Sequence, residues 1–331
     1  MKLRNLIIFI FCFPSLVFAQ NNEFIPSGKP FATIHLNFHK GISSASREDV
    51  AFELTRAYLG YEYHISSEFY VKINVDVGSP GDLSPYSKAR RYAYFKNAFL
   101  RYTKKGLKVD FGLIDTKQFK LQEDIWERRY MMESFSDQYG IGHSADLGMS
   151  VNYIFSEQLE ADFIITNGEG YSTIQLNDVF KYGIGPVYRF KNGLISKVFF
   201  ELTTKEITET TWSFFLSYDH QKKWNIAGEY VFRKNDSWKE NHNINGFSFY
   251  GKYNFAKKYQ LFARYDIFHS NIVEDKINPW NLANDGTAFV GGIQLVPVKN
   301  IKMSVNYQDW YPRATNMDYS GYIYLNLEVK I

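Results

Sequence analysis

The last stretch of the chain, Gly321–Ile331, alternates without a break. Ile323, Leu325, Leu327, Val329 and Ile331 fall on one side; Tyr322, Tyr324, Asn326, Glu328 and Lys330 fall on the other. Successive side chains of a strand point to opposite faces, so this segment has one apolar and one polar face. The pattern recurs along the chain. Phe69, Val71, Ile73, Val75 and Val77 oppose Tyr70, Lys72, Asn74 and Asp76; Leu159, Ala161, Phe163 and Ile165 oppose Glu160, Asp162 and Thr166. Tyr259, Leu261, Ala263, Tyr265 and Ile267 oppose Gln260, Arg264 and Asp266. Residues 107–113, 147–155, 212–219 and 301–308 read the same way. Repeated half-apolar strands of this length predict a wall that is greasy on one side and wet on the other.

The start of the chain says where such a wall would sit. Residues 1–19 read as a secretory signal peptide: Lys2 and Arg4 form the basic start, Leu6–Phe18 the apolar run, and Val17-Phe18-Ala19 the cleavage site before Gln20. The run falls short of the roughly 20 residues of a spanning helix. The single cysteine, Cys12, lies inside this leader, preceded by Phe11 where a lipobox needs a small residue. The mature chain then has no thiol for disulfides, metal or nucleophilic chemistry. Loss of Lys2 and Arg4 brings the net charge from +3 to near +1. That balance gives no support to nucleic-acid binding, which shows a basic excess. No later segment is a long uninterrupted apolar run, so no membrane helix is expected. Aromatics make up 18% of the chain, led by Phe and Tyr. Such rings form the interfacial girdles of outer-membrane barrels.

The connections separate into two alternating classes. Ile65–Glu68, Thr103–Gly106, Ser156–Gln158, Lys191–Gly193, His220–Lys223, Ala256–Lys258 and Pro297–Asn300 are short. Gly41–Asp49, Gly78–Arg91, Asp115–Ala145, Asn167–Val179, Thr203–Thr210, Lys234–Asn243, His269–Gly286 and Trp310–Ser320 are longer. Short periplasmic turns alternating with longer external loops are the signature of a transmembrane antiparallel β-barrel. The count predicts about sixteen strands with both termini periplasmic. Spread over sixteen strands, the mature chain leaves roughly 19–20 residues per strand and connection, of which a spanning strand uses about 9–11. The less regular strands are 31–39, 50–64, 92–102, 180–190 and 287–296, and Pro186 disfavours a smooth ladder at its position. Residues 20–331 read as one barrel, with too few residues before the first strand for a plug domain.

A barrel this wide leaves an aqueous channel. The longest connection, 115–145, is charged, and Glu123–Phe135 has helical composition with Ile125, Trp126 and Arg129 on one face. Loops this long are functional or disordered. The functional reading is a constriction loop folded into the lumen, presenting Lys117, Lys120, Glu123, Asp124, Glu127, Arg128 and Arg129. The alternative is an external loop that never enters. Candidate pore-lining residues on the strands are Arg56, Lys72, Asp76, Arg101, Lys108, Asp110, Lys197, Glu201, Glu229, Arg264, Asp266, Lys302 and Glu328. Rings of charge bias permeation; the plainer role is to solvate the lumen or pair across strands.

Sharper chemistry finds little footing. His35 and His39 form H-x-x-x-H, but on a strand they stand about 13 Å apart, too far to share a zinc ion. His143-Ser144 and His269-Ser270 suggest a hydrolase, yet neighbours on a strand point oppositely and no orienting acid is evident. Gly168–Gly170 and Gly183–Gly185 do not introduce a helix with a lysine, so they are not phosphate loops. No enzyme activity, cofactor or metal is expected.

Three segments, NAFLRYTKKGLKVDFGLIDTKQF at 97–119, LFARYDIF at 261–268 and GGIQLVPVKNIKMSVNYQ at 291–308, resemble the phosphate-selective porin O/P family. The resemblance covers about half of the mature chain. It implies a sixteen-stranded, trimeric diffusion porin in the bacterial outer membrane, in contact with outer-membrane lipids and passing small hydrophilic solutes or ions. Lys117 stands where the family often has a Pro-Phe step, no dense Arg or Lys ladder is present, and the chain ends on Ile331 rather than an aromatic. Phosphate selectivity is therefore not part of the expectation. A barrel-embedded lipid or ester hydrolase and a closed structural or adhesion barrel are the competing readings.

Overall fold

A computed structural model describes residues 24–46, 50–78, 92–175, 177–271, 285–313 and 317–331. The expected signal peptide, Cys12 and parts of five long connections lie outside the described residues. The strands are β1 (Ser27–Gly41), β2 (Val50–His64), β3 (Phe69–Gly78), β4 (Tyr92–Lys104), β5 (Leu107–Asp115), β6 (Ala145–Ile154), β7 (Leu159–Thr166) and β8 (Lys181–Arg189). They continue as β9 (Leu194–Thr204), β10 (Thr208–His220), β11 (Trp224–Lys234), β12 (Ile244–Ala256), β13 (Tyr259–Ser270), β14 (Gly286–Leu295), β15 (Ile301–Pro312) and β16 (Ser320–Lys330). Two short helices, α1 (Lys120–Trp126) and α2 (Phe135–Gln138), lie in the connection between β5 and β6. Each strand pairs antiparallel with its neighbours, and β1 pairs with β16, so the sixteen strands close into one barrel. Closure removes every sheet edge, the condition for a sheet to cross a bilayer.

The two faces invert the pattern of a soluble protein. Large apolar side chains point outward and are exposed: Phe52 (86%), Phe111 (68%), Leu216, Phe249, Leu261, Val305 and Leu325. Inward positions are polar and buried: Asn74, Asp76, Asp110, Glu201, Ser217, Asn306, Asn326 and Glu328. An apolar outer band around a polar interior matches a wall immersed in lipid.

The strand boundaries agree with the alternation to within a few residues, with one exception. The connection expected over 203–210 shrinks to 205–207, because β9 and β10 run on through Thr203, Thr204, Thr208 and Thr210. Threonine favours extended backbone, so a threonine-rich segment continues the hairpin where a loop was expected. At Pro186 the pairing of β8 with β9 is interrupted between Ile184–Phe200 and Val187–Lys197 and resumes in the same register. Proline has no N–H to give to the ladder.

Two bulges matter for the lumen. Against β1, the register of β2 passes from Arg56 to Leu54 and leaves Thr55 as the extra residue. Against β3, β4 passes from Asn97 to Phe95 and leaves Lys96 extra. A bulge re-aims side chains. Here Lys96 and Asn97, adjacent in sequence, are both buried.

Candidate pore constriction

The β5–β6 connection lies inside the barrel, and apolar side chains anchor it there. Trp126, 1% exposed, packs on Phe215, Ala227, Tyr250, Phe262 and Val290, contributed by β10 to β14. Phe135 and Ile141 pack on Val231, Ile244 and Phe268. A Cβ at Gly246 would sit 2.2 Å from Phe135 Cζ, so only glycine leaves room for that ring. These contacts explain why β10–β14 carry apolar residues on their inner face, where alternation alone calls for polar ones.

The helical part is shorter than its composition suggests and starts earlier. α1 covers Lys120–Trp126 and ends where Glu127 takes the left-handed conformation, φ 59°. The indole N–H of Trp126 donates to Met132 O at 2.8 Å, folding the following residues back over the ring. Arg129 therefore does not continue the face of Ile125 and Trp126.

Past this turn, the loop meets the opposite wall. Arg56 Nη1 donates to Glu133 Oε1 at 2.8 Å and its Nε lies 3.5 Å from Asp76 Oδ1. Arg129 reaches Glu123 at 2.7 Å, Glu133 at 2.9 Å, and Asp137. Its Nε donates to the Tyr58 hydroxyl at 3.3 Å. Lys96 Nζ stands 5.2 Å from the Tyr58 ring centre and 5.6 Å from that of Tyr171, whose hydroxyl donates to Asp76 at 2.8 Å. Cations and carboxylates thus interleave across the gap between the loop and β2–β4.

Lys120 spans Glu123 at 2.9 Å and Asp124 at 2.7 Å on the short-turn side of the loop. Burial alone would push the Glu123 carboxyl up, but Arg129, Lys120 and Lys96 together hold it down at about 2. Glu133 is also held below the carboxylate range: burial opposes, and Arg129, Arg56 and Lys96 prevail.

Several charges expected to line the pore are covered instead. Arg128 is 1% exposed, wedged between loop and wall. It donates to Trp126 O at 3.0 Å and Gln260 Oε1 at 2.8 Å, with its guanidinium carbon 4.7 Å from the Phe262 ring centre. Burial lowers its pKa to about 10. Arg264 and Asp266 point inward but lie beneath the loop, paired to each other at 2.6 Å, with Arg264 also donating to Glu133 O at 2.6 Å. Lys197 is buried against Lys117 O, and Glu229 is buried beneath the loop near Gln122. Alternation assigns a face; it cannot say that a loop covers that face.

The other candidates are placed as follows. Arg101 grips Asp110 through two bonds of 2.6 and 2.8 Å, and Lys117 stands 3.7 Å from the same carboxylate. Glu201 lies 3.4 Å from Lys181. Glu127 Oε2 meets Lys252 at 2.6 Å, and Lys302 donates to Glu127 O at 2.9 Å. Glu328 lies 3.3 Å from His35 and 3.2 Å from Lys302. Lys72 faces inward over the Phe31 ring at 5.5 Å, and Lys108 is half-buried opposite Thr103 and Asn152. Lys96 went unnoticed in the sequence; its one signal was the break in alternation within 92–102.

Of the enzyme-like pairs, Ser270 is buried, while His269 lies beside Asp285 at 3.6 Å and near Arg313. No hydrogen bond joins either histidine to its neighbouring serine among the contacts described. Among the described residues, no group of three or more His, Cys, Asp or Glu is arranged to hold a metal ion.

No protein-family model matches the chain, and no curated protein does. The resemblance to phosphate-selective porins thus rests on the quoted segments alone. Solved structures do match. OmpF of Salmonella typhi, in a complex with daunomycin, superposes with a TM-score of 0.68 at 11% identity, over 92% of this chain and 97% of that one. An anion-selective porin from Comamonas acidovorans gives 0.66 at 12%, over 93% and 100%. The outer membrane channel DcaP of Acinetobacter baumannii gives 0.65 at 11%, over 92% and 97%. The likeness is one of architecture along nearly the whole of both chains: this protein has the barrel fold of outer-membrane porins.

Proposed function

We propose that the protein is a passive channel of the bacterial outer membrane, admitting small hydrophilic solutes or ions by diffusion. The observation that carries this reading is the loop strapped across the lumen, from its apolar anchor on β10–β14 to the Arg56–Glu133 pair on β2. A barrel that served only as a wall would need no inward fold of this length. The polar interior, the apolar exterior and the porin architecture support the same reading. Arg56, Lys96, Asp76, Arg129, Glu123 and Glu133 act as the charged eyelet; Lys72, Lys108, Arg101, Lys120 and Asp124 act on its short-turn side. Both signs are present, so the eyelet filters by size and dipole more than by net charge. Assembly as a homotrimer belongs to this proposal and follows from the family resemblance.

Reconstitution in planar bilayers tests it. Stepwise ion conductance is expected. A folded, inserted barrel with no conductance would refute the channel and favour the closed structural barrel.

A further inference from the structure

The lumen differs in chemistry on the two sides of the loop. On the short-turn side, a cavity of about 610 Å³ is bordered by charges of both signs, among them Lys72, Lys120, Glu123, Asp124, Lys302 and Glu328. On the long-loop side, a cavity of about 450 Å³ is walled by Tyr139 of the loop and by Trp310, Tyr322 and Tyr324 of β15 and β16, with Gln138 and Gln308 between them. Among the residues lining it, Asp309 carries the one charge, and its Oδ1 is taken by the Phe289 N–H at 2.8 Å.

The rings are held in place but not covered. Tyr139 stacks on Phe268 with centroids 5.0 Å apart and planes 5° apart, and lies 5.9 Å from Trp310 at 40°. Tyr322 and Tyr324 stand 5.7 Å apart at 41°. Gln308 is the register partner of Tyr322, which sets an amide among the rings. All four rings stay partly exposed within a lumen that is otherwise polar. A small anion gains nothing from such a surface, and a small cation gains only a weak attraction to the ring faces. A pyranose gains more: the C–H groups of one sugar face lie flat on an aromatic ring, and the hydroxyl rim meets amides. Aromatic faces set beside amides and hydroxyls, in a volume that falls within roughly 300–1,000 Å³, suit a small polar organic molecule.

We propose that this vestibule is a saccharide-binding subsite, docking a neutral oligosaccharide of pyranose units before the constriction. The proposal deepens the channel reading and rests on it for the route by which the sugar arrives. Binding is tested separately from transport. Maltotriose is titrated calorimetrically into the purified barrel in detergent, with folding checked by resistance to SDS. Saturable binding with a Kd of about 1 mM is expected. Trp310→Ala and the milder Gln308→Leu should each weaken it, the former about tenfold, and inorganic phosphate should not displace the sugar. Absence of saturable binding, binding by both variants as tight as by the unsubstituted protein, or displacement by phosphate would each overturn the proposal. A barrel that conducts ions but does not bind maltotriose leaves the channel standing and removes the subsite. One that binds the sugar but conducts nothing does the reverse.

Discussion

Replacing Glu133 by Gln isolates the charge of the eyelet from its shape. The carboxylate sits between Arg56 at 2.8 Å and Arg129 at 2.9 Å. Its loss leaves those two cations and Lys96 facing Glu123, Asp137 and Asp76. An ion passing roughly 6 Å away interacts with a unit charge by about 0.7 kcal/mol in a water-like dielectric and by about 3 kcal/mol at an effective dielectric constant of 20. The lower figure applies to a wet lumen. Since the change acts with opposite sign on cations and anions, the ratio of their permeabilities should move about tenfold toward anions. The assay is the reversal potential across a bilayer under a KCl gradient. At low salt the shift should be large. Near 1 M, where the screening length is only about 3 Å, it should largely vanish. An unchanged reversal potential at low salt, with the barrel folded and conducting, would show that ions do not pass between the loop and β2, and the eyelet would have to be sought elsewhere.

Three further outcomes follow from the same geometry. Trp126→Ala removes the ring that seats the loop on five strands, a loss of about 3–5 kcal/mol for a buried Trp; limited proteolysis should then cut between β5 and β6 while the barrel still resists SDS, and an uncut loop would contradict the anchor. Gly246→Leu should displace Phe135 and raise conductance, and should lower the melting temperature of the barrel because the new Cβ also stands 2.8 Å from Ile267 O; unaltered conductance would argue against the contact. The Glu123 and Glu133 carboxyls are held below their ordinary range, so their ion pairs are complete above about pH 4.3, the unperturbed Glu value. Burial pushes the Asp137 carboxyl on the same Arg129 up, which favours the docked loop as pH falls; loop protection should therefore not decline from pH 8 to 5 and should fall only as pH drops through the lowered values, toward about 2 for Glu123, and loss of protection already at pH 6 would refute this.

Much of the architecture was legible from residue alternation because a bilayer and a wet lumen impose opposite demands on adjacent residues. The run 321–331 shows this in its cleanest form, and even the irregular segment 50–64 proved to be a strand with the expected limits. Three things were not legible. The hairpin around 205–207 depends on the backbone preference of threonine, which polarity does not record. The cover over Arg128, Arg264 and Asp266 depends on where a distant loop docks, and only the inward Phe262 and Phe268 hinted at it. Lys96 depends on an extra residue in one strand, and there strict counting by twos assigns the wrong face.

The bulges at Thr55 and Lys96 carry a consequence for how such a channel can diversify. In a regular ladder, adding or deleting one residue turns every later side chain of that strand inside out. At a site that already holds an unpaired residue, the chain has slack. The wall can gain, lose or exchange a cation there while the lipid-facing row keeps its place. Two such sites border one gap, so selectivity can be rewritten with few edits and without rebuilding the barrel that holds it.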